Sequence, residues 1–350
     1  MSRIFARSPF YITISGSPND ETEIELRLWN GTGSAPTNPT YTLSKPIPST
    51  LIGECNYNIS PYIREYITHT SFANVYNVNN AATPTNEWCN VQVKRIRNNS
   101  VLTTDTYKAY DGWGFYSDGY NDDLGFTLLA EDTYYYWYDP NATLSIDLLK
   151  RAGSITLEAT NGWDVFYTNL RTNATFELSL TTTRVQDVYR VYPLYMEDGN
   201  KVEIRNASNV VQKTFYFRPI QECKYEPVTI DYINRYGGWS REFMFKASRE
   251  NFEVEKTDYH LMQTINYDTN KGQFGRFNVN GKQNISVNTG WVDEGFSERV
   301  REMMMSERIL VNGEPAQMRS TSTQLFKHIN EKLINYQLEF DYAYYINNNV

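Results

Sequence analysis

A mainly β chain, built of tandem sandwich- or barrel-like domains, follows from three observations on these 350 residues. Aromatic side chains make up 15% of the chain, with 28 Tyr, 17 Phe and 7 Trp, and such residues fit a pleated, half-buried surface. Asn and Gly recur between the apolar segments, where tight turns need them. Short segments alternate apolar with polar residues, most clearly in Glu23-Ile24-Glu25-Leu26-Arg27-Leu28-Trp29, and a period of two is that of a strand. With 40% hydrophobic and 21% charged residues the chain is globular rather than disordered, and its length suffices for two or three domains.

Residues 1–100 read as a first sandwich-like domain. Strands are expected over 10–14 and 22–29, joined by the turn Ser15-Gly16-Ser17-Pro18-Asn19-Asp20, and again at 41–44 and 87–96. Ser60-Pro61 predicts a short helix over 61–67: Ser caps, and Pro sits in the first turn, where its missing N–H costs nothing. Ile63, Tyr66 and Ile67 then share one side of it.

Residues 101–140 differ in kind. Eight acidic residues face one basic residue, Lys108, and twelve aromatics are interleaved. The segment reads as an irregular insertion, and long loops in compact proteins are commonly contact surfaces. Trp113, Phe115, Tyr116, Tyr120, Tyr135 and Trp137 are its candidate interface residues, since Tyr and Trp are enriched where proteins meet. The same rings would also suit stacking on sugars.

Residues 141–222 show short strands about every ten residues, with turns at Ala152-Gly153, Asn161-Gly162 and Asp198-Gly199-Asn200, the rhythm of a second β domain. Residues 223–350 form the last domain. Strands are expected at 228–232, 242–247, 252–255, 274–279 and 284–287, with Asn280-Gly281 as a hairpin turn. One helix is expected over 297–306, capped by Ser297 and apolar along Phe296, Val300 and Met303/Met304. Met303 and Met304 are added to the candidate interface, because Met packs adaptably at contacts. Closing strands follow at 309–311, 316–321 and 333–345.

Chemistry is harder to find. A formal charge of -8 and pI ≈ 5.1 disfavour a basic nucleic-acid binder. No apolar run approaches the ~18 residues of a membrane span, and Pro9 and an alternating strand follow the basic N-terminal residues in place of a signal-peptide core. Neither an anchor nor an export signal is expected. Cys55, Cys89 and Cys223 are odd in number and widely spaced, as befits small buried residues in a reducing cytosol. His69, His260 and His328 have no metal-ligand spacing, and each reads as a packing residue. Asp118, Asn121, Asp122 and Asp123 lack EF-hand spacing and read as a solvated loop. Nucleophile-elbow, phosphate-loop and dinucleotide fingerprints are missing. The expectation is a protein that is not an enzyme and uses no cofactor or metal.

Several blocks resemble a virion protein type of phages of Bacteroidota hosts, crAss-like phages among them. They are Phe5-Ala6-Arg7-Ser8-Pro9-Phe10-Tyr11-Ile12, Leu26-Arg27-Leu28-Trp29 and Tyr57-Asn58-Ile59-Ser60-Pro61-Tyr62-Ile63-Arg64-Glu65-Tyr66-Ile67 near the N-terminus. Later come Cys223-Lys224-Tyr225-Glu226-Pro227, Ile233-Asn234-Arg235-Tyr236-Gly237-Gly238-Trp239, Asn288-Thr289-Gly290-Trp291-Val292-Asp293-Glu294 and 331–340, with Ala343. The resemblance spans both ends and leaves 101–222 unmatched. It implies a structural tail protein: a ring or hub subunit with a tail-tube-like C-terminal domain, assembled in the host cytoplasm into the virion. Its partners would be further copies of itself as a cyclic oligomer, neighbouring tail proteins, and genomic DNA passing through the lumen without specific binding. Alternatives are a fibre-docking or capsid-decorating protein, or, from another class, a β protein that binds or cleaves host glycans.

Overall fold

The computed structural model describes residues 2–31, 33–49, 53–69, 81–82, 87–121, 134–138, 155–160, 162–180, 186–195, 197–220, 225–292, 295–320 and 334–347. Strands dominate, with two α-helices and one 3-10 turn among the described residues. Two compact units emerge: 1–221 with 233–241, and 222–232 with 242–350. The segments expected as separate domains over 1–100, 101–140 and 141–222 all fall within the first unit, apart from residue 222.

The first unit opens with β1 (Arg3–Phe5), β2 (Tyr11–Ser15), β3 (Glu21–Trp29), β4 (Tyr41–Pro46) and β5 (Glu54–Asn58), then helix α1 (Ser60–Tyr66). It continues with β6 (Ala81–Ala82), β7 (Trp88–Arg97) and β8 (Ser100–Tyr110). A five-stranded sheet has the order β1-β8-β7-β3-β4, and β2 and β5 form an antiparallel ribbon. The alternation seen in the sequence puts Ile24, Leu26 and Leu28 of β3 and Val91 and Val93 of β7 on one face. Ile12, Ile14 and Tyr57 of the ribbon pack on that face, with Ile63 of α1 in the same core. Each such burial contributes about 1.5–3 kcal/mol. Ser60 is not the cap expected of it: the helix is preceded by Ile59 and has no side-chain cap. Its Oγ instead accepts from the Phe10 N–H at 2.9 Å and donates to the Ser8 carbonyl at 2.6 Å.

The irregular reading of 101–140 is corrected over its first ten residues, which belong to β8 and pair with β7 from Ser100↔Arg97 to Tyr110↔Trp88. The turn joining them is Asn98-Asn99, both with positive φ (45° and 60°), the geometry of a tight hairpin. Beyond lie β9 (Tyr134–Tyr138), β10 (Ile155–Thr160), β11 (Trp163–Asn169), β12 (Thr175–Leu180), β13 (Gln186–Val191), β14 (Asn200–Arg205) and β15 (Val211–Ile220). They form a three-stranded sheet, β10-β13-β6, and a five-stranded one, β12-β11-β14-β15-β9. Val165, Tyr167, Val202, Ile204, Phe215 and Phe217 of the larger sheet are almost fully buried. The turn expected at Ala152-Gly153 lies outside the described residues.

The remaining strands are β16 (Val228–Ile233), β17 (Trp239–Met244), β18 (Arg249–His260) and β19 (Phe274–Val292). Helix α2 (Phe296–Met305) precedes β20 (Ile309–Val311), β21 (Glu314–Met318) and β22 (Ile334–Tyr342). Their sheet runs β17-β16-β20-β21-β22-β19-β18. Ile230, Val287, Leu338 and Phe340 from the strands share the second unit's core with Phe296, Val300 and Met303 of α2. Gly295 precedes α2, and Ser297 lies inside its first turn without capping it. The hairpin expected at Asn280-Gly281 does not occur: β19 continues through it as one strand of 19 residues, with irregular register beside Asn278. Gly281 is accommodated because the Phe252 ring lies across it, so close that a Cβ there would come within 2.7 Å of the ring.

Candidate interaction surface

The chain after β8 is pinned point by point onto the N-terminal segment. The N–H groups of Ala6 and Arg7 donate to the Tyr110 and Gly112 carbonyls at 2.8 and 3.0 Å. Gly114 N–H donates to Ser8 Oγ at 2.8 Å, and Trp113 N–H donates to the Arg235 carbonyl at 2.8 Å. Gly112 must be glycine, because a Cβ would lie 2.5 Å from Phe5 and 2.6 Å from the Arg235 carbonyl oxygen. The run ends at Asn121, in the left-handed region at φ 57°, whose amide accepts from Tyr11 N–H and donates to the Tyr11 carbonyl. Between these anchors the 3-10 turn Tyr116–Asp118 closes through Phe115 N–H donating to Asp118 Oδ2 at 2.8 Å.

This scaffold separates the predicted interface residues. Trp113 is buried, edge-on to Phe115 at 5.3 Å, and the Arg235 guanidinium lies 4.3 Å from the Phe115 ring centre. Trp113 is therefore a packing residue, which corrects its assignment to the interface. Phe115 is half-buried, while Tyr116 is wholly exposed and Tyr120 largely so, edge-on to Tyr11 at 5.8 Å. Tyr135 and Trp137 fall in β9, which pairs in parallel with β15. Met303 is wholly buried in the core beneath α2, so it too leaves the interface list; Met304 packs partly against that core, and Met305 is half exposed.

What remains is a set of aromatic side chains, Tyr11 of β2 with Phe115, Tyr116 and Tyr120 of the hydrogen-bonded segment after β8. No protein-family model matches the chain, and no curated protein matches it in sequence. The surface must therefore be read from its own chemistry. In the same unit an open cleft of about 640 Å3 is lined by Arg7, Ser8, Pro9, Asn58, Arg64 and Glu65. Its mixed polar and apolar walls and the exposed tyrosine rings suit a protein contact.

Deeper in the unit lie charges that sequence reasoning left unassigned. His69 Nε2 is 3.0 Å from Asp111 Oδ2, with Arg7 Nε 3.7 Å from the other carboxylate oxygen. Such a pair is two members of a nucleophilic triad. His69 Nδ1, however, is buried with no hydrogen-bond partner among the described residues, so they supply no nucleophile to it. The buried Glu158 carboxylate takes Arg3 Nε at 2.8 Å and the Tyr110 hydroxyl at 3.0 Å, and Arg190 is paired with Glu87. Burial opposes the Arg190 charge, but the Glu87 carboxylate outweighs it and holds its pKa above the usual arginine value. These clusters join segments far apart in sequence. Among the described residues no group of three or more His, Cys, Asp or Glu is placed to hold a metal ion, and no helix is long and apolar enough to cross a membrane.

The residues that sequence reasoning missed lie in the second unit. Every residue of β18 is exposed, and Phe252, Val254, Tyr259, Met262, Ile265, Tyr267, Phe274 and Phe277 stand in water on or near this ribbon. The signal was present: Met262, Ile265 and Tyr267 interrupt an otherwise polar loop between two strands.

Proposed function

We propose that this chain is a non-enzymatic structural subunit of a phage tail, assembling as a ring or hub that helps form the channel for DNA ejection and docks neighbouring tail proteins. The observation that carries the reading is the amount of recognition surface left open: the exposed rings of Tyr11, Tyr116 and Tyr120, and open strand edges. Among the described residues no strand pairs with the outer edge of β8 from Ser100 to Tyr107, β1 pairing with Lys108–Tyr110, and β18 is an outer strand of its sheet. Open edges and exposed aromatic surface are liabilities in an isolated protein and contacts in an assembly. A repeated edge-to-edge contact closes into a ring when its rotation divides the full turn, and extends into a filament when it does not. The blocks resembling phage virion proteins support the same role, and a charge of -8 suits a wall past which DNA slides, because phosphate binding needs clustered Lys and Arg.

Cryo-electron microscopy of purified particles, with the chain traced into tail density, tests this. A closed ring about the tail axis is expected. A peripheral position at a fibre or capsid would replace the ring with a docking role. Absence from the particle would overturn the virion reading, leaving the exposed tyrosines to be tested for glycan binding by fluorescence titration with host polysaccharide.

A further inference from the structure

We propose that the ribbon made by β18 and the first half of β19 is the arm by which one copy of this chain grips a second copy. The inference rests on the ring-subunit reading and names the element that makes the contact. β18 pairs with β19 from Arg249↔Ser286 to His260↔Phe274. On its other side β19 pairs with β22 from Asn284 to Val292, and the C-terminal residues Ile346 and Asn347 contact Gly281 and Val279. Among the described residues no further strand pairs with the ribbon past that point, and it is closed by the Leu261 N–H donating to the Gln273 carbonyl at 2.8 Å.

A bare ribbon is marginal in water, yet this one carries devices that preform it. Tyr259 lies across Gly275, where a Cβ would come within 2.5 Å of its ring, and is edge-on to Phe277 at 5.7 Å. On the opposite face His260 meets Phe274 at 4.9 Å, and Arg276 pairs with Asp258 at 3.4 Å. A preformed arm gives up little freedom when it docks.

Its surface indicates what it docks on. Met262 and Ile265 are 97% and 98% exposed. Over the two faces and the tip of the arm, eight large apolar side chains of up to roughly 150–250 Å2 each, half to wholly open, together present roughly 1,000 Å2, so a partner that clasps the arm from both sides reaches the about 800 Å2 of a standard stable interface. Residues 257–277 hold Asp258 and Asp268 against Lys271 and Arg276, so the arm is neutral on a chain of charge -8. Two copies that repel elsewhere meet no repulsion here. Nucleic acid and anionic lipid both demand clustered Lys and Arg, and the irregular polar loop 261–273 would leave backbone groups unsatisfied in hydrocarbon. A protein surface remains, and the occupant is a second copy, which meets at this neutral arm the apolar ribbon of a chain whose charge of -8 otherwise keeps its copies apart.

The test is sedimentation velocity on the full chain beside the variant Met262→Ser/Ile265→Ser/Phe274→Thr/Phe277→Thr, whose changes are all at exposed positions. Circular dichroism verifies that the fold is retained. The native chain is expected to self-associate, and the variant to do so about a hundredfold more weakly. A photo-crosslinker at position 265, which leaves the rest of the arm intact, is expected to join two copies. Equal self-association of variant and native chain, a native chain that stays monomeric, or crosslinks only to another protein or to phosphatidylglycerol vesicles would each overturn the arm. If self-association is unchanged in the variant while particles still show a ring, the arm fails and the ring stands. If the arm dimerises the chain but particles lack the ring, the ring fails and the arm stands.

Discussion

Asparagine shares with glycine the left-handed backbone positions of this chain. Among the described residues every non-glycine position with positive φ is Asn: 19, 98, 99, 121, 173, 209, 278 and 312. An L-residue there loses roughly 1–2 kcal/mol unless its short polar side chain compensates, as that of Asn does. Asn99→Val is therefore expected to lower stability by about 1–2 kcal/mol and Asn99→Gly to be nearly neutral, measured by urea denaturation. Equal losses would show that the backbone at 99 is not the cause. The same fact explains what was hard to see in the sequence. A glycine-centred reading of turns recognises Asp198-Gly199 but passes over Asn98-Asn99, which is why β8 reads as the start of an irregular segment. The cysteines were easier, being few and apart. Burial pushes the Cys89 thiol up to about 12, and Cys55 is buried as well. At pH 8 a thiol reagent is expected to label at most Cys223 in the native chain and all three residues in denaturant. Two fast-reacting native thiols would contradict the packing of β5 and β7.

Strands with clean alternation, such as β3 and β22, were legible from side-chain period alone, because each buries one face only. Elements whose ends depend on distant partners were not. Ser60 resembles a cap by every local rule, but its hydroxyl is engaged by Phe10 and Ser8, 50 and 52 positions away. Asn280-Gly281 resembles a turn until Phe252 is found lying across the glycine. The interface assignment of Met303 failed for a related reason: a helix side facing a sheet and one facing a partner have the same composition. What fixes α2 is a contact that spacing does not reveal, Arg299 Nη1 at 3.1 Å from Glu242 Oε1, both side chains nearly fully buried. Removing one member of a buried pair leaves an uncompensated charge and costs about 3–5 kcal/mol, whereas replacing both with apolar residues is often close to neutral. Arg299→Leu is expected to destabilise the second unit by that amount and Arg299→Leu/Glu242→Leu by much less, read from chemical denaturation curves. Equal losses in the single and double variants would mean that the pair does not hold the helix.

Across the molecule, titrating groups shift in two directions, and together they bound the pH range of the fold. Burial opposes the charge of Glu25 and Glu203, yet Arg27 and Lys94, and Lys201 and Arg205, outweigh it and hold both carboxyls below their ordinary values. Asp20 and Asp198 are lowered chiefly by the amides of Asn98 and Asn169. A depressed acid stabilises the fold above its unfolded pKa of about 4 and loses that contribution as pH falls through the folded value. Tyr57, Tyr107 and Tyr192 are raised, burial being the largest cause in each. Their contribution is complete below about pH 10 and is lost as pH climbs from there through the folded value. The melting temperature is thus expected to be flat from about pH 5 to 9.5 and to fall on both sides, followed by scanning calorimetry. Acid also relieves the self-repulsion of a chain with charge -8, an effect of opposite sign. At 0.15 M salt the screening length of about 8 Å suppresses that long-range repulsion more than the contacts at Glu25 and Glu203, so the loss prevails; at low salt it is partly offset. These four carboxyls all belong to the first unit, whereas the second holds Glu255, lowered chiefly by the Lys282 ammonium, so where calorimetry resolves two transitions, the more acid-sensitive one should be the first unit's. A second unit that melts first in acid would place the controlling carboxylates elsewhere.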